Sequence, residues 1–180
     1  MANILTGPSA QLNVPALIQG NVVSESAFPS VAGGSLRFTT AAPGVAEGRI
    51  IRLRASARVT GGTTTNYTLK IYWWNSVNTD LTTFTSDVNI LTSGALAFNT
   101  VTGMLFLQAD LAWDSISTKL NGSLNVVNSG TTPAATWVVA TAAATVAAGL
   151  GNLKFFATGL FSATNGSNAA TLFDLSVDVL

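Results

Sequence analysis

Two pairs of carboxylates are the side chains in this sequence whose type and spacing come nearest to acid–base chemistry. Asp110 and Asp114 are four residues apart, and so are Asp174 and Asp178. Each pair lies in an alternating, strand-like run, where a four-residue step places both side chains on one face about 13 Å apart. Glycosidases hold their two carboxyl groups closer together than that. We therefore interpret these aspartates as solvated side chains of strand faces and predict no catalytic residues.

Two missing residue types narrow the remaining chemistry. The chain contains no histidine and no cysteine, which excludes Ser-His-Asp triads, Cys-His pairs and zinc sites built from imidazole or thiolate. Calcium needs only oxygen ligands, and Asp80 and Asp87 lie in the polar stretch SVNTDLTTFTSDVN, although without the spacing of an EF-hand. We predict a protein without enzymatic activity, cofactor or metal site.

Arginines alternate with apolar residues in the stretch GRIIRLRASARVTGG, residues 48–62. Arg52, Arg54 and Arg58 share one face of the strand that this pattern predicts. Asp174 and Asp178 share one face of the run TLFDLSVDVL. If the two strands pair antiparallel in one sheet, their opposite charges form a cross-strand charge ladder that favours one register. The apolar residues between the charges supply most of the folding free energy.

Nucleic acid is the other partner that three arginines could meet. Six of the eight basic residues lie between positions 37 and 70, but the formal net charge of the whole chain is zero. Because a nucleic-acid binder usually has a clearly basic face, we predict no nucleic-acid partner. Arg49, at the entrance of the arginine strand, is left as a candidate contact with an acidic patch on a partner protein.

Alternating runs separated by turn residues must position these side chains. Clear examples are YTLKIYWWN and MLFLQADLAW, and Asn121-Gly122 has the sequence of a two-residue hairpin turn. The pattern predicts an all-β, two-sheet antiparallel β-sandwich, a jelly roll of about eight strands whose first and last strands are neighbours. Residues 46–180 form this sandwich domain. Residues 1–45 hold four of the five prolines and are predicted to form an extended N-terminal arm.

The composition predicts contacts between subunits. Charged residues make up 9% of the chain, against about 25% in typical soluble domains, and charged groups are depleted where subunits meet. We therefore predict a homo-oligomer, a dimer or a trimer. The long uncharged run near residues 134–150 is rich in alanine and threonine, so no membrane segment is predicted. The candidate interface residues are Arg49, Tyr72, Trp74, Pro8 and Pro15.

The layout as a whole resembles a known class of viral proteins. The proline-containing start MANILTGPSAQLNVP, the helix-free sandwich rich in Thr, Asn and Gly, and the closing GLFSATNGSNAATLFDLSVDVL look like a decoration (cement) protein of a tailed-bacteriophage capsid. The resemblance implies a jelly-roll fold and a place on the virion surface after synthesis in the host cytoplasm. It also implies attachment to the shell through subunit interfaces and through the N-terminal arm, which would reach across neighbouring capsomers. The implied partners are the major capsid protein and further copies of the chain.

Two other functions remain open from the sequence. A small jelly-roll coat protein that forms the shell itself would have a similar composition, although the chain lacks the basic arm that would package a genome by charge. A carbohydrate-binding sandwich on a phage fibre would use an outward Trp74 or Tyr72 as a platform for a sugar ring.

Overall fold

The computed structural model describes residues 10–11, 19–20, 23–28, 38–39, 50–63, 65–73, 88–98, 102–114, 116, 119–129, 134–138, 144–145 and 154–180. These residues form fourteen strands and no helix. In chain order the strands are β1 (Ala10–Gln11), β2 (Gln19–Gly20), β3 (Ser26–Ala27), β4 (Phe38–Thr39), β5 (Ile50–Thr60), β6 (Asn66–Trp73), β7 (Val88–Thr92), β8 (Leu96–Ala97), β9 (Thr102–Asp114), β10 (Lys119–Asn128), β11 (Ala134–Val138), β12 (Ala144–Thr145), β13 (Lys154–Phe161) and β14 (Ala169–Val179). The described segments contain no helix that could cross a membrane.

The strands form two sheets. Sheet A has the order β1-β14-β5-β9-β10-β11, with β2 also paired to β14 and β12 to β10; sheet B has the order β3-β13-β6-β7, with β4 paired to β13 and β8 to β6. Every pairing is antiparallel. Eight of the described strands have five or more residues. The predicted all-β, two-sheet antiparallel sandwich is confirmed.

Alternation along the strands builds the core between the sheets. In β5 the odd positions Ile51, Leu53 and Val59 are fully buried, while the even positions are half-buried or exposed. The same pattern in β6 and β9 turns residues such as Leu69 and Leu107 inward. Burying a large apolar side chain contributes roughly 1.5–3 kcal/mol, so the two apolar faces account for the association of the sheets.

The described parts of the predicted N-terminal arm lie on the sandwich itself. The short strands β1 and β2 pair with β14 in sheet A, and β3 and β4 pair with β13 in sheet B. Phe28 follows β3 directly, is only 1% exposed and belongs to the core; its backbone N–H donates a hydrogen bond of 3.1 Å to the carbonyl of Ala157. The chain therefore uses residues 23–28 as part of its own fold.

The predicted hairpin turn at Asn121-Gly122 is wrong. Strand β10 runs straight through both residues, with Asn121 opposite Ala112 and Gly122 opposite Leu111. Ten residue pairs between β9 and β10 outweigh a local turn preference. Glycine is needed at position 122 for close packing of the strands, because a β-carbon there would collide with the backbone carbonyl of Asp110 on β9. The chain reverses instead between Asp114 and Lys119.

Candidate functional site

The three central strands of sheet A, β14, β5 and β9, present a polar face that points away from the core. We call it the outer face of sheet A and define it by the outward residues of these strands. They include Asp174, Ser176 and Asp178 on β14, Arg52, Arg54, Ser56 and Arg58 on β5, and Met104, Phe106, Gln108 and Asp110 on β9. Three arginines and three aspartates therefore share one face.

The structure places the arginine strand and the closing aspartate strand side by side and antiparallel, as the sequence predicts. Arg52 lies opposite Asp178, and Asp174 lies opposite Ser56. The register shifts between Leu172 and Asp174 at a β-bulge. Beyond the bulge Arg58 lies opposite Thr171, which carries no charge. The ladder thus has one rung in which opposite charges face each other directly.

The shortest ion pair of the outer face uses Asp110, an aspartate predicted to be a solvated side chain. Asp110 on β9 accepts two hydrogen bonds from Arg52, 2.7 Å from Nε to Oδ1 and 3.0 Å from Nη2 to Oδ2. This forked contact is the geometry that arginine makes best with a carboxylate. The hydrogen bond from Arg52 holds the pKa of Asp110 below its usual range. The outward position of Asp110 can be read from the run MLFLQADLAW, but only the strand order shows which arginine it contacts.

The other members of the ladder make weaker contacts. One Nη2 of Arg54 lies 3.9 Å from Oδ2 of Asp178, and the Arg54 side chain is about half exposed. Exposed pairs of this kind contribute at most about 1 kcal/mol. The guanidinium of Arg58 lies 5.3 Å from the centre of the ring of Phe173, the residue at the bulge. This is a cation–π contact.

Asp174 is the least satisfied charge on the outer face. Its Oδ1 is buried and has no hydrogen-bond partner among the described residues. Burial raises the pKa of this carboxyl; the positive charge of Arg54 opposes the shift, and the negative charge of Asp178 adds to it. The structure therefore leaves one acidic group on this face without the donor that the ladder predicted for it.

A large apolar ring lies in the middle of this polar face. Phe106 on β9 is 45% exposed and lies between Ser56 of β5 and Val127 of β10 in the register. Its two neighbours in the strand, Leu105 and Leu107, point the other way and are buried in the core. The outer face of sheet A therefore combines charges that are partly paired with each other and one uncovered aromatic ring.

A second polar cluster attaches the N-terminal segment to sheet B. The carboxylate of Glu25, just before β3, accepts hydrogen bonds from Lys70 Nζ at 2.5 Å, from the Thr158 hydroxyl at 2.6 Å and from the Tyr72 hydroxyl. Lys70 and Thr158 are opposite each other on β6 and β13. We call these four residues the Glu25 anchor. The sequence gives no sign of this cluster, because no local pattern links Glu25 to a strand more than forty residues away.

Tyr72 was predicted as an outward interface residue, and the structure corrects this. Its side chain is only 7% exposed, and its ring stacks on Phe156 with the centroids 5.4 Å apart. The alternation of β6 does turn Tyr72 away from the core side of Ile71, but its hydroxyl donates to Glu25 of the N-terminal segment. The ring is therefore not available as an exposed platform for a sugar or a subunit.

We expect Glu25→Gln to lower the free energy of unfolding at neutral pH by about 1–2 kcal/mol, since it leaves the largely buried ammonium of Lys70 without its counter-charge. Burial pushes the pKa of Glu25 up, but the hydrogen bonds from Lys70, Thr158 and Tyr72 outweigh it and hold the pKa below 4.5. A lowered folded-state pKa gives stability that is present above the unfolded-state value and is lost as the pH falls through the folded-state value.

Urea unfolding of the wild type and Glu25→Gln, from neutral pH down to below 4.5, measures the difference in the free energy of unfolding. The difference between the two proteins should shrink as the pH falls below 4.5, because both then carry a neutral side chain at position 25. The matched control is Asp178→Asn, which removes a carboxylate from the long, exposed pair with Arg54. A difference that stays constant with pH would show that the carboxylate of Glu25 is not charged and bound in the fold.

The remaining predicted residues lie outside the described residues. These are the interface candidates Arg49, Trp74, Pro8 and Pro15 and the calcium candidates Asp80 and Asp87. Within the part of the chain that the structure describes, no group of three acidic side chains comes together in a way that could hold a metal ion.

No protein-family model matches this chain, and no curated protein matches it. One similar solved structure is an endo-1,3-beta-glucanase from Streptomyces sioyaensis, with 13% identity and a TM-score of 0.38, over 86% of this chain and 74% of its own. A second is a lectin from Bauhinia forficata in complex with GalNAc, with 12% identity and a TM-score of 0.36, over 95% of this chain and 99% of its own. The metal-free form of lectin I-B4 from Griffonia simplicifolia matches at 10% identity and a TM-score of 0.33, over 96% of this chain and 99% of its own. Likeness at this level assigns neither a family nor an activity to the chain.

Proposed function

We propose that this chain is a non-enzymatic structural protein of a virion, a decoration (cement) protein that binds and stabilises an icosahedral bacteriophage shell. Its partners are the major capsid protein and further copies of itself, as a dimer or trimer, and its place is the capsid surface after synthesis in the host cytoplasm. The observation that supports the proposal is the outer face of sheet A, where an exposed Phe106 lies among charges that balance each other.

Covering a charged protein surface costs free energy, because its charges lose water. A charge that loses water without gaining a partner is expensive, so a docking face benefits when its charges are already paired. Arg52 and Asp110 meet this condition through their forked contact. An exposed aromatic ring is the kind of residue that anchors protein interfaces, and Phe106 provides one. The low fraction of charged residues in the whole chain agrees with a surface that is buried in contacts with other proteins.

The proposal assigns attachment to the outer face of sheet A and not to the arm. The described segments of the arm add strands to the chain's own sheets, and Phe28 is part of the core. These contacts support a sandwich that docks as one rigid unit. The non-enzymatic part of the proposal is supported by the absence of histidine and cysteine from the sequence and by the use of Asp110 in an ion pair.

We expect Phe106→Asp to weaken binding to undecorated shells of the encoding virus by about thirtyfold or more, the loss that accompanies removal of an interface anchor worth about 2 kcal/mol. The new carboxylate also adds a charge without a partner to the face. The matched control is Ile116→Asp, because Ile116 is 94% exposed and lies outside the strands of sheet A; we expect it to change the affinity less than about threefold. Co-sedimentation of labelled protein with shells measures both.

The same two variants separate the proposal from its alternatives. Equal binding of both variants would show that the outer face of sheet A does not contact the shell. Assembly of the purified wild-type chain into closed shells by itself would favour the coat protein. Glycan binding that is lost in a third variant, Trp74→Ala, together with no binding to shells, would favour a carbohydrate-binding module.

A further inference from the structure

The loop before β14 contains an asparagine whose surroundings favour a chemical reaction. Residues 165–168 form a turn in which the backbone N–H of Asn168 donates to the carbonyl oxygen of Asn165 at 2.9 Å. The backbone N–H of Ser167 also donates to the side-chain oxygen Oδ1 of Asn165, at 2.9 Å. Between them lies Gly166, which is exposed and has open space around its α-carbon. The backbone nitrogen that follows Asn165 thus belongs to an exposed residue without a side chain.

We propose that Asn165 is a site of spontaneous deamidation, and that the fold directs the reaction to this asparagine. The backbone nitrogen of Gly166 loses its proton to hydroxide and attacks Cγ of Asn165. The new N–Cγ bond closes a five-membered succinimide, and the side-chain nitrogen leaves as ammonia. Water then opens the ring at one of its two carbonyls and gives aspartate or isoaspartate, so the net change is the gain of one water and the loss of one ammonia.

Two features of the turn assist the rate-limiting attack. Negative charge develops on Oδ1 as the nitrogen adds to Cγ, and the N–H of Ser167 is already positioned to stabilise it. Gly166 has no β-carbon to obstruct the approach of its own nitrogen, and no neighbouring atom lies where one would be. A donor placed in advance costs no rearrangement at the moment of reaction.

The chain carries its own control for the effect of the fold. The sequence contains a second Asn-Gly pair, Asn121-Gly122, which lies inside β10 and pairs with β9. An extended backbone has ψ near +135°, which points the glycine nitrogen away from the asparagine Cγ. Reaction at Asn121 therefore requires local opening of β10 in the middle of sheet A. The same dipeptide is reactive in the turn and protected in the strand.

Deamidation at Asn165 would disturb one end of the sandwich. The Asn165 amide lies directly against Gly62, in the connection between β5 and β6. The adjacent, buried Asn168 accepts a hydrogen bond from the Gly62 N–H at 2.9 Å and donates one to the Ala163 carbonyl at 2.7 Å. A carboxylate adds a charge at this contact, and isoaspartate adds a methylene to the backbone. This inference goes beyond the proposed function and does not depend on it.

Incubation of the full chain at mildly alkaline pH, followed by peptide mapping with tandem mass spectrometry, tests the inference. We expect modification at Asn165 to exceed modification at Asn121 by at least about tenfold in the folded protein, and to become comparable at the two sites in denaturant. Gly166→Ala is the matched variant: its methyl group meets no neighbour, so the fold should be kept while the attack by the residue 166 nitrogen slows severalfold.

Each outcome bears directly on the proposal. Preferential reaction at Asn165 that is lost in denaturant and slowed in Gly166→Ala supports it. Equal rates at both sites in the folded chain, no product at Asn165, or an unchanged rate in a natively folded Gly166→Ala would overturn it. If Asn121 stays unreactive in denaturant, the contrast comes from local sequence and the directing effect of the fold is disproved.

Discussion

Replacing Phe28 by alanine is expected to lower the free energy of unfolding by about 3–5 kcal/mol, the cost of removing a buried phenylalanine ring. Phe28 comes from the N-terminal segment, yet it is 1% exposed and belongs to the hydrophobic core that residues of both sheets form. Two-state urea unfolding measures the change. The matched control is Val23→Ala in the same segment, because Val23 is half exposed and should change stability by less than about 0.5 kcal/mol.

A loss of less than about 1 kcal/mol for Phe28→Ala would mean that residues 23–28 do not fold with the sandwich. The expected large loss also constrains experiments on shell attachment. A truncation that removes residues 1–30 would delete Phe28 and Glu25 together, so weaker binding after it could reflect a damaged fold. Point variants on the outer face of sheet A avoid this confusion.

Gly122→Ala is expected to lower the free energy of unfolding by about 2–3 kcal/mol, although it adds a single methyl group. The new β-carbon would meet the carbonyl oxygen and carbon of Asp110 and the α-carbon of Leu111, all of them backbone atoms of β9. Backbone in the middle of a paired strand cannot move aside without breaking hydrogen bonds to its neighbours. Thermal or urea unfolding of the variant gives the size of the effect.

Gly166→Ala makes the same chemical change in open space and should leave stability within about 0.5 kcal/mol of the wild type. If the two variants lose equal amounts of stability, β9 and β10 do not approach each other as closely as described. If Gly122→Ala costs nothing, position 122 does not lie inside a paired strand.

The sheets of this protein could be predicted from sequence because their information is local. In β5 and β9 the apolar residues recur at every second position, and burial follows that period. The adjacency of β5 and β14 could also be predicted, since their outward faces carry opposite charges and a jelly roll brings its first and last strands together.

The details that sequence reasoning missed depend on neighbours distant in the chain. Asn121-Gly122 has strong local turn chemistry, but pairing with β9 decides its conformation. Asp110 required the strand order before its bond to Arg52 could be anticipated. Tyr72 follows the alternation of β6, and its burial and its bond to Glu25 of a remote segment are visible only in the folded chain. Local pattern predicts which face a residue takes, and tertiary contacts decide what it meets there.

Strand β14 has a consequence for how the chain is made. It lies between β5 on one side and β1 and β2 on the other, so that Ala10 pairs with Val177 and Gln19 with Ala170. Strands β1 and β2 are thus synthesised long before β14, the strand that supplies their hydrogen-bond partners. On the ribosome β5, β9 and β10 can already join, but this edge of sheet A closes only after residues 169–179 have left the exit tunnel. Pairings this distant in sequence are slow to form, and until then water must satisfy the backbone groups of β1 and β2 that later pair with β14.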